Sequence, residues 1–152
     1  SKATLTRLLE AGVAAVDVSG LGGTHWGRVE GARSAQTELQ ARASQTFSDW
    51  GISTVDSVRA AANVVTQAVS NKAKKGYSVW ASGGVRSGLD AAKLMALGAQ
   101  RVGFAQPALK AALEGPTALR SWMELVEFEL KIAMFCTGSS KVKDLRKKVR
   151  AG

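Results

Sequence analysis

The chain has 152 residues, enough for one ordinary core domain, with 45% apolar and 22% charged residues. That balance excludes a disordered chain, and no apolar run approaches the ~20 residues that cross a bilayer. The net charge is +9, and much of it sits in the last twelve residues, where Lys141, Lys143, Arg146, Lys147, Lys148 and Arg150 face Asp144 alone.

That cationic run reads as a solvated helical tail, residues 139–152, behind a body of residues 1–138. No aromatic residue interleaves with it, so nucleic-acid binding is not expected. The remaining role for the charge is attraction of anionic, phosphorylated ligands. The single cysteine, Cys136, cannot form an internal disulfide and fits a reducing, cytoplasmic compartment. No signal peptide is expected, because the sequence starts in a helical pattern.

In chain order, Ser1 caps a helix with Leu5, Leu8 and Leu9 on one face, and Gly12 ends it. Val13-Ala-Ala-Val-Asp-Val18 is a short β-branched run, read as a strand buried on both faces. A long connection, Ser19 to Ser53, is unusual within a compact domain and points to a functional loop, with Arg33 to Gln45 fitting a short helix. Thr54 caps the next helix, whose Val55, Val58, Ala62, Val65 and Val69 repeat at helical spacing until Lys72–Lys75 and Gly76. Tyr77 to Ser82 is the second strand. Ser87 to Leu97 is a helix with Leu89, Ala92, Leu94 and Leu97 inward and Gly98 as its stop. Ala99 to Phe104 is the third strand. A short helix runs from Pro107 to Gly115, and a long one from Thr117 to Thr137 buries Leu119, Trp122, Met123, Val126, Leu130, Ala133 and Met134.

Strands and helices alternate as parallel crossover units, an α/β pattern. Three such units fall short of a (β/α)8 barrel, which takes ~250 residues. The chain therefore reads as the C-terminal portion of a TIM barrel, its last three strand-helix units. Ligands of such barrels bind at the C-terminal ends of the strands. Here those ends carry Ser19-Gly-Leu-Gly-Gly-Thr24, Ser82-Gly-Gly-Val-Arg86, and Ala105 with Gln106. Glycines let backbone N–H groups approach a phosphate closely. The helix after Arg86 is expected to offer free N–H groups and its positive dipole end. Ser19 and Thr24 add hydroxyls, and Arg86 adds a forked cation. The loops match neither a Walker A loop nor a dinucleotide fingerprint. His25 reads as a hydrogen-bonding loop residue, Asp17 as a satisfied structural carboxylate, and Cys136 as inert. No His, Cys or carboxylate cluster has metal-ligand spacing.

These residues carry a resemblance. Gly12 to Trp26, Phe47-Ser-Asp-Trp-Gly-Ile-Ser-Thr54, Ala81 to Ala99, Val102 to Pro107 and Ile132-Ala-Met-Phe-Cys-Thr-Gly138 resemble the C-terminal part of type 2 isopentenyl diphosphate isomerases. Ser53 stands where that family carries proline. The glycine-rich segment alone is shared by many FMN-binding barrels, whereas Asp-Trp-Gly and Ala-Met-Phe-x-Thr-Gly are more specific. The resemblance implies interconversion of isopentenyl and dimethylallyl diphosphate by reduced FMN acting in proton transfer. NADPH or another reductant activates the flavin, and magnesium binds the diphosphate. Ser19, Thr24, Gly83, Gly84, Val85, Arg86, Ala105 and Gln106 are then the FMN-binding residues.

The family's catalytic and metal-binding groups have no counterpart in this sequence: its N-terminal Arg-Lys pair, its Gln-Glu pair and its strand-five lysine. The resemblance assigns no catalytic residue and no metal ligand here, and implies that this stretch alone is inactive. An open core face also implies self-association into a homo-oligomer or association with further barrel units. Two other readings remain open: a fragment of another FMN-dependent barrel oxidoreductase, such as a 2-hydroxy-acid oxidase, or a non-catalytic phosphate-binding half-barrel.

Overall fold

A computed structural model describes residues 1–34, 37–70 and 77–148. The elements follow in the order α1 (Lys2–Glu10), β1 (Ala15–Val18), α2 (Trp26–Ser34), α3 (Glu38–Thr46), α4 (Thr54–Ser70), β2 (Ser78–Ala81), α5 (Gly88–Ala96), β3 (Arg101–Val102), α6 (Gln106–Glu114) and α7 (Pro116–Cys136), and a 3₁₀ helix, Val142–Lys148, is the last described element. The strands form one parallel sheet in the order β1-β2-β3, so each connection is a crossover through helix. The expected alternation is observed, with strands shorter than their apolar runs.

Among the described residues, helices cover one face of the sheet. Val16 and Val18 of β1, with Val79 and Ala81 of β2, turn toward the helices and pack with Leu5, Leu9, Val58, Ala61, Val64 and Leu94. The opposite face carries Asp17, Trp80 and Arg101 side by side in register, all exposed. Arg101 places its guanidinium 5.1 Å from the centre of the Trp80 ring. The expectation that β1 is buried on both faces is therefore corrected: among the described residues, those of α1, α4 and α5 that pack on the sheet lie on the Val16–Val18 side. Asp17 is satisfied as expected, but by a hydroxyl on this open face, since Ser82 Oγ donates to its Oδ2 at 2.8 Å.

The helices differ from the sequence reading in informative ways. Ser1 Oγ accepts the Thr4 N–H, and Gly12, at φ 92°, ends α1 as expected. The long connection contains two helices rather than one. In α4 the buried apolar positions among the described side chains are Val58, Ala61 and Val64, while Val55 is exposed. The Val69 side chain, and the stop expected at Lys72–Lys75 and Gly76, lie outside the described residues. Leu89 in α5, expected inward, is half exposed, and Ala91, Ala92 and Leu94 form the buried face. On α7, Trp122, Val126 and Leu130 turn inward as expected, but Met123 is exposed. Leu125, Phe128, Ile132 and Phe135 make a second, open apolar stripe on that helix.

The basic tail is solvated along its charged side chains but is not free. Leu145 is 2% exposed, the 3₁₀ helix packs against α5, and Arg146 donates to the Gly98 carbonyl at 3.0 Å, closing the C-terminal end of that helix. A run of cations hid one apolar anchor, which is why charge alone read as a solvated helical tail. Arg150 lies outside the described residues.

Candidate functional site

The C-terminal ends of all three strands open into one cleft of ≈ 630 Å³. The loop after β1 contributes Ser19 and Thr24, and the loop after β2 contributes Gly83, Gly84, Val85 and Arg86. The turn after β3 contributes Ala105 and Gln106. All the residues expected at the site thus line a single cavity, of a size that suits a small-molecule ligand. Trp26 and Val29, on α2, also line it and were not foreseen. Glycines within Trp26–Ser34 blur any amphipathic pattern, so periodicity gave no sign of that helix.

The two glycine loops interlock. Gly83 and Gly84 both have positive φ, 83° and 81°, and a Cβ on Gly84 would collide with the Gly22 carbonyl oxygen. Consecutive residues of this kind leave several backbone N–H groups unspent. Among the described residues, no acceptor meets the N–H of Gly20, Gly83, Gly84 or Val85. Donors left unpaired at the wall of a cleft form an anion-binding concavity.

The helix that follows Arg86 plays a smaller part than expected. At the N-terminus of α5, the Gly88 N–H goes to Glu129 Oε2 at 2.6 Å, and the Asp90 N–H goes to Ser87 Oγ at 3.1 Å. The Arg86 N–H goes to Asp90 Oδ2 at 3.2 Å. Two carboxylates already occupy that positive end. The open helix start is that of α6, which has no side-chain cap bond and carries Pro107 in its first turn, at the lip of the cleft. The dipole that favours an anion is therefore supplied by α6 beside Ala105 and Gln106.

Arg86 is exposed at the cleft, and among the described residues no carboxylate lies in ion-pair range of its guanidinium. His25 also lines the cleft, but its ring nitrogens have partners in the protein: Nδ1 accepts the Arg28 N–H at 3.0 Å, capping α2, and Nε2 lies 3.4 Å from the Trp50 carbonyl. A neutral ring with the proton on Nε2 satisfies both contacts. Cys136 is exposed at the end of α7 and is not among the cleft-lining residues. Among the described residues no group of three or more His, Cys, Asp or Glu side chains is placed to hold a metal ion, and no helix is long and apolar enough to cross a membrane.

One residue at the site was misread. Thr54 was expected to cap α4, but Ser53 does so: its Oγ accepts the Asp56 N–H at 3.0 Å and donates to Asp56 Oδ2 at 2.7 Å. Thr54 is buried and turns its hydroxyl to the glycine loops, toward the Ser19 carbonyl and, at 3.0 Å, the Gly83 carbonyl. The Ser-x-x-Asp spacing of Ser53 and Asp56 was the signal available in the sequence.

Comparison with known proteins agrees with this geometry. The isopentenyl-diphosphate delta-isomerase of Legionella pneumophila (strain Paris) is 52% identical over 148 residues, covering 97% of this chain and 41% of the Legionella protein. The isomerase of Bdellovibrio bacteriovorus is 52% identical over 145 residues, covering 95% of this chain and 39% of its own. That of Nostoc sp. is 42% identical over 149 residues, with 96% and 39% covered. The chain thus spans about two fifths of the length of these relatives. Among solved structures, mandelate oxidase with benzoyl-formic acid superimposes with a TM-score of 0.67 at 23% identity, over 97% of this chain and 35% of the oxidase. That likeness shows a shared fold. The family profile described as FMN-dependent dehydrogenase matches residues 1–151, and the chain belongs to that family.

Proposed function

We propose that this chain forms the phosphate-holding end of an FMN-dependent isopentenyl-diphosphate delta-isomerase, as the last three strand-helix units of its (β/α)8 barrel. The observation that carries the reading is the cleft itself: unpaired N–H groups of two interlocked glycine loops, an uncapped helix start and an unpaired arginine converge on one volume. The isomerase assignment within the flavin family is supported by 52% identity to the Legionella enzyme, against 23% to the oxidase.

The residues fit the FMN phosphate. In this reading the N–H groups of Gly83, Gly84 and Val85 surround its oxygens, with Gly20 adding one from the neighbouring loop. Ser19 and Thr24 would donate hydroxyl protons, and Arg86 would neutralise charge with its forked donors. Ala105 and Gln106 close the third side with the open end of α6. Reduced FMN, when bound, would supply the acid and base for adding a proton at one carbon of the substrate and removing one at another, which interconverts isopentenyl and dimethylallyl diphosphate. This chain's part is to hold and orient; no catalytic residue and no metal ligand is assigned to it. NADPH as reductant, magnesium on the substrate diphosphate, cytoplasmic residence and homo-oligomeric assembly belong to the same proposal, carried by likeness to the isomerases.

A 2-hydroxy-acid oxidase reading would ask a strand-end histidine to meet the acid. The capping role of His25 argues against that, because its Nδ1 is spent on α2. The deciding assay supplies the protein, as its gene encodes it, with FMN, a reductant and isopentenyl diphosphate. Formation of dimethylallyl diphosphate is expected. A protein that quenches FMN fluorescence yet forms none would defeat the isomerase reading, and failure to bind FMN would defeat the flavin reading as well.

A further inference from the structure

We propose that Thr54 is the positioning residue of the phosphate cradle, tying the two glycine loops together through one buried hydroxyl. The inference rests on the FMN reading above and adds a residue that does not itself touch the ligand. Thr54 is 8% exposed and opens α4. Its Oγ is not needed as a helix cap, since Ser53 fills that role. Instead it reaches the Ser19 carbonyl, in the loop after β1, and the Gly83 carbonyl, in the loop after β2.

The consequence follows from the peptide bond. A hydroxyl has one proton, so the two carbonyls share it and are drawn to the same point. In a trans peptide the C=O and the following N–H point in opposite directions. Holding the Ser19 and Gly83 oxygens on Thr54 therefore aims the Gly20 and Gly84 N–H groups away from it. Those are two of the unpaired donors of the cleft, whereas Thr54 is not among the cleft-lining residues and lies behind the Gly83-Gly84 loop, in an adjoining hollow that shares Gly83, Gly84, Val85 and Arg86 with the cleft. The neighbouring backbone leaves this arrangement no slack. A Cβ on Gly22 would strike the Thr54 Oγ, and one on Gly20 would lie 2.6 Å from the Thr54 nitrogen. The adjoining Leu21 N–H is pinned to the Ile52 carbonyl at 2.6 Å, so the first loop is held on both sides of Gly20.

Loss of the hydroxyl leaves two carbonyls free to rotate and the two N–H groups free to leave the phosphate. The defect should be felt by the phosphate of FMN and not by its ring system. The test measures FMN and riboflavin affinity by flavin fluorescence, in the protein as its gene encodes it, for Thr54→Val, Thr54→Ser and Arg86→Ala. Thr54→Val is expected to weaken FMN about tenfold or more while riboflavin stays within about threefold, and Thr54→Ser should keep the wild-type preference. Thr54→Val with an unchanged preference for FMN overturns the proposal, as does equal loss of both flavins, the mark of general destabilisation. If Thr54→Val does not fold, Thr54→Ala is read by the same criteria. Arg86→Ala separates the two levels: if it too leaves the preference for FMN unchanged, the phosphate-site reading fails, not merely the role of Thr54.

Discussion

The Glu129 carboxylate on α7 accepts the backbone N–H of Gly88, at the first turn of α5, at 2.6 Å. Residues far apart in sequence thus join the long final helix to the helix that follows the Gly83-Gly84 loop. Gly88 is buried, and a Cβ there would meet the α7 backbone, so the helices touch at this point without room for a side chain.

Glu129→Ala removes the acceptor and leaves a buried N–H at the positive end of α5. The expected cost is about 1.5–3 kcal/mol, the range for a hydrogen bond to a charged group, read as a lower midpoint in urea unfolding. Glu129→Gln keeps an acceptor oxygen and should cost less. An unchanged midpoint for the alanine variant would mean that the contact contributes nothing.

Gly84→Ala should act on both stability and ligand binding. At φ 81° a side chain is strained by roughly 1–3 kcal/mol, and the new Cβ collides with the Gly22 carbonyl. Separation of the interlocked loops should lower FMN affinity about tenfold or more. Gly115→Ala is the internal comparison. It carries φ 122° with nothing within 4 Å of the added carbon, so backbone strain appears there without a change in FMN affinity. Equal effects of the two substitutions on binding would remove Gly84 from the cradle.

The parts of this molecule legible in the sequence were those fixed by local pattern. Gly12 and Gly98 marked helix ends because only a residue tolerant of positive φ closes a helix so tightly. The strand ends announced the cleft because Gly83-Gly84 and Gly22-Gly23 have no local reason to be paired glycines. Features set by tertiary contact were not legible. Ser53 and Thr54 both suit a helix cap, and only the approach of the Ser19 and Gly83 carbonyls decides which hydroxyl turns away. Nothing local in α7 distinguishes Glu129 from its neighbouring acids, and its pairing with Gly88 is what removes the α5 start from the anion site. Asp17 sat in a run that reads as buried on both sides, because nothing local says which face of a strand the helices cover.

Leu145→Ala should release the tail. Its side chain is 2% exposed and anchors the 3₁₀ helix on α5, so truncation should cost about 2–5 kcal/mol locally. The expected readout is faster tryptic cleavage at Lys143, Arg146, Lys147 and Lys148, with little change in global unfolding. Val142→Ala, at a position 40% exposed, should leave cleavage near the wild-type rate. If cleavage is equally fast in all of them, the docking is not maintained in solution.

Arg86 and Thr24 supply the side-chain part of the proposed grip, and their removal separates charge from shape. Each alanine substitution should weaken FMN by about 1.5–3 kcal/mol, the range for a hydrogen bond to a charged group. Arg86→Lys should recover part of the loss, since an ammonium keeps the charge but lacks the planar fork that meets two phosphate oxygens at once. The deficit of Arg86→Ala should shrink as salt rises, because the guanidinium stands exposed at the cleft and its attraction is screened. Thr24→Ala, a loss of a neutral donor, should show a much weaker salt dependence. FMN titrations at low and high ionic strength therefore distinguish the two contributions, and unchanged affinity in both alanine variants would show that the phosphate is held elsewhere.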